Sequence, residues 1–208
     1  MLLGAAGRIT SDWNQITTSQ LEEVAKEGFS AHSLRVSDPS NIRDSDVTRI
    51  KKAFQQVGLE ISQTNGNYGG GLISEDTSER VAAIKFVKRM CNFTNKIGAP
   101  NTYLRPGSLN PNGAWLPHPE NRSPTVFERL VDSTKQICTV AENEGVKLAV
   151  EGGVVCPLYS ARRVRDFIDA VGSKALGFNQ DPVNFVSRLD DAYDMSSFLA
   201  PFFDLLGD

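Results

Sequence analysis

A chain of 208 residues with 25 acidic against 22 basic side chains has a net charge of −3, which speaks against a grip on nucleic acid through its phosphates, because that needs clustered Lys and Arg. A composition 40% hydrophobic and 23% charged is that of a globular domain and excludes a disordered or fibrous chain. The three cysteines Cys91, Cys138 and Cys156 lie far apart in no CxxC spacing, so they indicate neither a disulfide framework nor a structural zinc site and suit a reducing cytoplasm.

The opening MLLGAAGRIT has too short an apolar run, with no basic leading region, for a signal peptide. No stretch approaches the roughly 20 apolar residues of a membrane span. A soluble, cytoplasmic protein with no membrane partner is the expectation.

Residues 2–6 read as a short first strand. Thr18 or Ser19 is placed to cap a helix with Leu21, Val24 and Ala25 on one face, and Gly28 ends it where a left-handed residue is wanted. A strand over 29–36 closes at Asp38-Pro39, and Asp44 or Ser45 caps a helix carrying Val47, Ile50, Ala53, Phe54 and Val57 at helical spacing. Gly58 stops it, and 59–64 makes a third strand. The glycine-rich loop 65–71 lacks both GK[ST] and GxGxxG, so it is no phosphate-binding loop. Ser74 begins a long helix that ends near Gly98, and 102–104 is the fourth strand, broken by Arg105-Pro106-Gly107. The segment 105–123 is a long Pro-, Gly- and Asn-rich loop of the kind that usually carries function or is disordered. Ser123-Pro124 starts a helix that finishes at Gly145.

Two short apolar runs follow, 146–150 and 175–178, with a helix over 160–171 between them; each leads into a carboxylate, Glu151 and Asp181. Parallel strands are buried on both faces and so read as continuous apolar runs, and their carboxyl ends are where α/β folds place chemistry. Two neighbouring strand ends would aim both acids into one mouth. The competing assignment for either acid is a turn residue or helix cap. A last helix covers 190–206 and ends at Gly207-Asp208.

Strand and helix alternate about six times, the pattern of a parallel α/β protein. A (β/α)₈ barrel needs eight units and typically about 250 residues, so the chain is about two units short. An open doubly wound sheet fits the length, but the loops lack the glycine fingerprint that such folds use for dinucleotides.

The residues Leu148-Ala149-Val150-Glu151-Gly152, Asn179-Gln180-Asp181-Pro182-Val183-Asn184, and Arg105-Pro106-Gly107-Ser108 with Trp115 and His118-Pro119-Glu120-Asn121 resemble the xylose-isomerase-like TIM barrels, in particular the sugar phosphate isomerases and epimerases. The resemblance follows the order of elements along nearly the whole chain and implies an α/β fold: a parallel (β/α) barrel of about six units, residues 1–208 as a single domain shortened at its C-terminal end. It also implies a divalent metal held by four strand-end side chains. Glu151 and Asp181 match the first two; the His and Glu of the seventh and eighth strands have no counterpart. Gly153 and Ser33 depart from the family, whose members often carry a polar residue or His and a Glu there. The activity implied, for the full-length form, is a metal-dependent sugar or sugar phosphate isomerase or epimerase, with Glu151 as the catalytic base. Mn²⁺ or Mg²⁺ suits oxygen ligands, and Co²⁺ or Zn²⁺ suits a set that includes a His. The alternatives are a lyase or dehydratase acting on a polyol with the same site, or a barrel fragment without catalytic competence. An endonuclease site on the same barrel, which collects several His ligands, fits poorly with two His and an acidic chain.

Substrate contacts are expected from four residues. Arg105 suits a bidentate pair with a phosphate or carboxylate, or a salt bridge to a helix. Trp115 could wall a sugar ring, and His118 could touch substrate or pin the loop. Asn184 could bond substrate or cap the next helix. His32, in an apolar strand, reads as a core histidine. The sixth strand would be an open edge, covered by downstream sequence or by homo-oligomerisation.

Overall fold

A computed structural model describes residues 2–207; of the expected end at Gly207-Asp208, Asp208 lies outside that range. The alternation resolves into β1 (Gly4–Ala5), α1 (Thr18–Lys26), β2 (Ala31–Val36), α2 (Asp44–Val57), β3 (Glu60–Gly66), α3 (Thr77–Ile97) and β4 (Asn101–Leu104). It continues through α4 (Pro124–Glu144), β5 (Lys147–Val150), α5 (Ala161–Val171), β6 (Leu176–Phe178), α6 (Leu189–Tyr193) and α7 (Met195–Leu206). The strands form one sheet in the order β1-β2-β3-β4-β5-β6, every pair parallel. Each helix returns the chain to the same edge, so sequential strands become neighbours. This is the expected α/β arrangement of TIM-barrel type with six βα units.

The register sets the site. Leu104 lies level with Val150, and Val150 with Phe178, so the residues just beyond them, Arg105, Glu151 and Asn179, leave the sheet at one height. On the other side Val36 is level with Gly66. Alternation decides direction: Leu104 and Val150 are buried among the helices, so Tyr103, one residue away, points to the opposite face.

Between sheet and helices the apolar side chains gather in two clusters. One holds Leu34, Ile50, Phe54, Met90 and Phe93, the other Val87, Leu130, Leu148, Val164 and Phe167. α3 contributes to both, and its Phe86 packs against each.

Several helix starts differ from expectation. α1 is capped by Thr17, whose hydroxyl accepts from the Gln20 N–H while the Gln20 side chain accepts from the Thr17 N–H, a reciprocal capping box. α2 begins at Asp44 with Arg43 at the cap position and no side-chain cap bond. α3 begins at Thr77 rather than Ser74, because the Asp76 carboxylate accepts from the N–H groups of Ser78 and Glu79. Ser74 instead follows a short 3₁₀ turn, Gly71–Ile73, whose Leu72 and Ile73 are buried in the helix-side core. The single last helix divides at Asp194, whose carboxylate accepts from the Ser197 N–H and so starts α7. Ser123 and Ser160 cap α4 and α5 as the sequence indicates. Among the described residues no helix is long and apolar enough to cross a membrane.

Candidate active site

At the carboxyl ends of the strands the sheet opens into a cavity of about 410 Å³. β5 delivers Glu151 to its floor, β4 delivers Tyr103, and the residue after β6 is Asn179. Glu151 is only 9% exposed, which is tolerable for an acid only if its oxygens are bonded. Oε1 accepts from the Tyr103 hydroxyl at 3.1 Å and from the Asn184 amide at 3.1 Å, and Oε2 accepts from the Asn179 amide at 2.7 Å. A carboxylate has about four acceptor positions; three are filled, which leaves one on Oε2.

The donors are themselves fixed. The Asn179 side-chain oxygen accepts from Gln63 at 3.5 Å, Gln63 also donates to Asn101 at 2.8 Å, and Asn101 donates to the Ser62 carbonyl at 3.2 Å. Asn184 approaches closely because residue 153 is glycine. A Cβ there would stand 3.1 Å from the Cβ of Asn184 and 3.6 Å from the Trp115 ring. Gly152 has still less room, since its Cβ would fall 2.5 Å from the Leu158 carbonyl.

Burial, the largest influence, pushes the Glu151 carboxyl above the ordinary carboxylate range; the Tyr103 hydrogen bond opposes it, the charge of Asp181 adds to it, and the two amides oppose it. Asp181 is thus near enough to repel Glu151 but is not in the cavity wall. Burial, and then the charge of Glu151, drive the Tyr103 phenol upward. Tyr103 is therefore a neutral hydroxyl and a donor.

Arg105 lines the cavity and is well fastened. Its Nη2 donates to Asn67 Oδ1 at 3.0 Å and to the Gly69 carbonyl at 3.3 Å, and its guanidinium lies 5.6 Å from the centre of the Tyr68 ring. Tyr68 also accepts from the Arg105 backbone N–H and donates to its carbonyl at 3.1 Å. The two loops involved press together at Gly70 and Gly107: a Cβ on Gly107 would sit 2.6 Å from the Gly70 Cα, and Gly107 has φ +87°.

The other expected contacts divide. Trp115 stands beside Gly153 without entering the cavity wall. His118 caps the 3₁₀ turn Pro119–Arg122, its Nδ1 accepting from the Glu120 N–H at 3.2 Å, and it too stands off the wall. Its neighbour Asn121 is buried and ties the long loop to the segment after β5, donating to the Val155 carbonyl at 2.7 Å. Asn184 holds Glu151, while the Asp181 side chain makes no cap bond to the following turn. His32 is 1% exposed; its Nδ1 donates to the Ser33 carbonyl at 2.6 Å and its Nε2 accepts from the Arg8 N–H at 3.2 Å, so it is neutral and fully used.

Tyr103, Asn179 and Gln63, together with Asn65 and Asn67, are site residues that sequence reasoning missed. The one available signal was positional: Tyr103 and Asn179 flank strand ends as Glu151 does.

A family model described as xylose isomerase-like TIM barrel matches residues 21–205. No curated relative matches the sequence. Among solved structures, an apo 3-keto-D-glucoside 4-epimerase from E. coli superposes with a TM-score of 0.74 at 16% identity, covering 99% of this chain and 75% of that one. D-Psicose 3-epimerase from Clostridium cellulolyticum H10, solved with D-tagatose, gives 0.75 at 18%, covering 99% and 71%. A xylose isomerase-like TIM barrel protein from Mycobacterium smegmatis, solved in complex with magnesium, gives 0.70 at 18%, covering 97% and 72%. At these identities the likeness establishes the fold.

Proposed function

The chain belongs to the xylose isomerase-like TIM barrels, and on that premise we propose that it is, as one domain, a metal-dependent isomerase or epimerase of a sugar or sugar phosphate, moving a proton on a carbon next to a carbonyl with Glu151 as base. One observation carries the reading: a single buried carboxylate at the floor of a strand-end cavity, held by three neutral donors and pushed upward in pKa. A base whose conjugate acid lies nearer neutrality takes up and returns a proton more readily at working pH. The unfilled position on Oε2 is open to that proton, and a metal bound through Glu151 would displace one of the amide donors. The amides of Gln63, Asn65 and Asn67 each offer both a donor and an acceptor, which suits sugar hydroxyls. Arg105 contributes to the substrate side from the cavity wall, and Asn184, Trp115 and His118, which stand off that wall, would meet a substrate only where it extends beyond it. The sugar epimerases among the similar structures, and one similar protein holding magnesium, support the assignment.

The donor chemistry fits a hard divalent ion in part. Glu151 and Asp181, the latter outside the cavity wall, are the oxygen ligands that would hold it, and among the described residues no third His, Cys, Asp or Glu joins them. Mg²⁺ or Mn²⁺, which accept one or two carboxylates with water and substrate oxygens, suit this pair better than Co²⁺ or Zn²⁺. Such an ion, when bound, stabilises negative charge on the carbonyl oxygen. Two protein ligands should hold it weakly, with a dissociation constant of about a millimolar.

Exchange of the substrate's α-proton with deuterated solvent, followed by proton NMR over a panel of ketoses and aldoses, tests the proposal. Wild-type protein with Mn²⁺ or Mg²⁺ should exchange that proton, and Glu151→Gln should lose about a thousandfold in rate. Exchange undiminished in Glu151→Gln would refute the role of Glu151.

A further inference from the structure

β2 and β4 each bring an arginine to the same cavity, Arg35 and Arg105. Arg35 is level with Asn65 on β3, the strand between them, so the two backbones stand two strand spacings apart, about 10 Å. Glu151 lies one strand beyond β4. The cavity therefore has a carboxylate from β5 and arginines from β2 and from the end of β4 in its lining.

Among the described residues neither arginine is engaged by an acid; the ion pairs are made by other side chains. Arg105 is anchored through Nη2 and its aromatic contact, yet its Nε is buried with no hydrogen-bond partner among the described residues. A buried donor left unpaired costs about 1–3 kcal/mol, and here it belongs to a guanidinium in the wall of an open cavity. In a chain of net charge −3, this wall carries two cations against one acid.

We propose that the substrate is an anionic sugar, bearing a phosphate or a carboxylate, and that Arg35 and Arg105 hold the anionic group while the reacting carbon lies over Glu151. This rests on the sugar isomerase reading of the site and deepens it by naming the substrate class. Arg105 supplies a rigid fork, because its loop is fastened at Gly70 and Gly107. Arg35 is exposed and has no side-chain hydrogen bond among the described residues, and closes on the anion from the β2 side. Guanidinium groups pair with either oxyanion in a bidentate way.

Calorimetric titration in low salt separates the sources and the roles. The ligands are D-fructose 6-phosphate against D-fructose, D-glucuronate against D-glucose, and inorganic phosphate alone; the proteins are wild type, Arg35→Gln, Arg105→Gln, Arg105→Lys and Glu151→Gln. One anionic sugar should bind at least about tenfold more tightly than its neutral partner, and which one does so identifies phosphate or carboxylate. The preference should be lost in both glutamine variants, be partly kept in Arg105→Lys, and survive in Glu151→Gln. Equal affinity for charged and neutral sugars, absence of binding by every anion, or a preference untouched by Arg35→Gln, whose exposed side chain leaves folding undisturbed, would overturn the proposal. The failure of the underlying reading looks different: no proton exchange with any sugar, while the anion preference and its loss in Arg35→Gln persist.

Discussion

Glu151 is held between influences of opposite sign, and each can be removed singly. The charge of Asp181 raises its pKa, so Asp181→Asn should move the Glu151 titration downward; the Tyr103 hydrogen bond stabilises the ionised form, so Tyr103→Phe should move it upward. Carboxyl-carbon NMR of each variant reads the direction, and shifts of the same sign in both would refute the arrangement. Linkage extends this to stability. A carboxyl whose folded pKa lies above its unfolded value binds its proton more tightly in the native state, so its contribution is most favourable below the ordinary carboxylate range and declines as pH rises through the folded pKa. His32 works the other way: burial lowers its pKa, so its contribution is present above the ordinary histidine range and is lost as pH falls through the folded value. Urea titrations of His32→Gln and Glu151→Gln against pH should therefore lose pH dependence in different windows, the former near and below neutrality, the latter from the carboxylate range upward.

Among the loops and helix ends, the same residue type does unequal work. Gly107 combines φ +87° with a neighbouring backbone 2.6 Å from where its Cβ would be, whereas Gly58, φ +75°, ends α2 with open space around it. Gly58→Ala should cost about 1 kcal/mol, the left-handed penalty alone. Gly107→Ala should cost about 3 kcal/mol or more, because the loops carrying Arg105 and Tyr68 must part. Urea denaturation compares the two, and equal losses would mean that the loop contact bears no energy. Legibility in the sequence divided along the same lines. The strands were readable from apolar runs and most helix ends from glycines, because those signals are local. α3 starts at Thr77 and not at Ser74 because the Asp76 carboxylate takes the first free N–H groups, and Ser74 and Asp76 are both fair caps by residue type. Glu151 was legible as an acid ending a strand. Its partners Tyr103 and Asn179 were not, because what joins them is the lateral register of β4, β5 and β6, and a one-residue change in that register would turn Tyr103 into the helix layer.

For the molecule as a whole, the sheet has two edges: among the described residues β1 pairs with β2 alone and β6 with β5 alone. Open strands are templates for further pairing, so the chain is expected to self-associate, seen by light scattering as a concentration-dependent rise in mass. Gly177→Lys, placed on the β6 edge where an added Cβ meets nothing within 4 Å, should weaken that association without unfolding the protein; a monomer at all concentrations would refute the expectation. The strictly sequential strand order has another consequence. Sheet pairing supports each unit mainly through the ones before and after it, with the Gln63–Asn179 bond as a link across the mouth, so fluctuations need not be global: the array can fray from either end while its middle stays closed. Amide exchange should be slowest around β3, β4 and α3, whose Phe86 bridges the two cores. The site straddles that gradient, with Tyr103 in the slow zone and Asn179 and Asn184 in the fraying one. When the β6 end opens, Glu151 loses both amides and keeps the phenol, so the proton affinity of the base is tied to how firmly the last unit is docked.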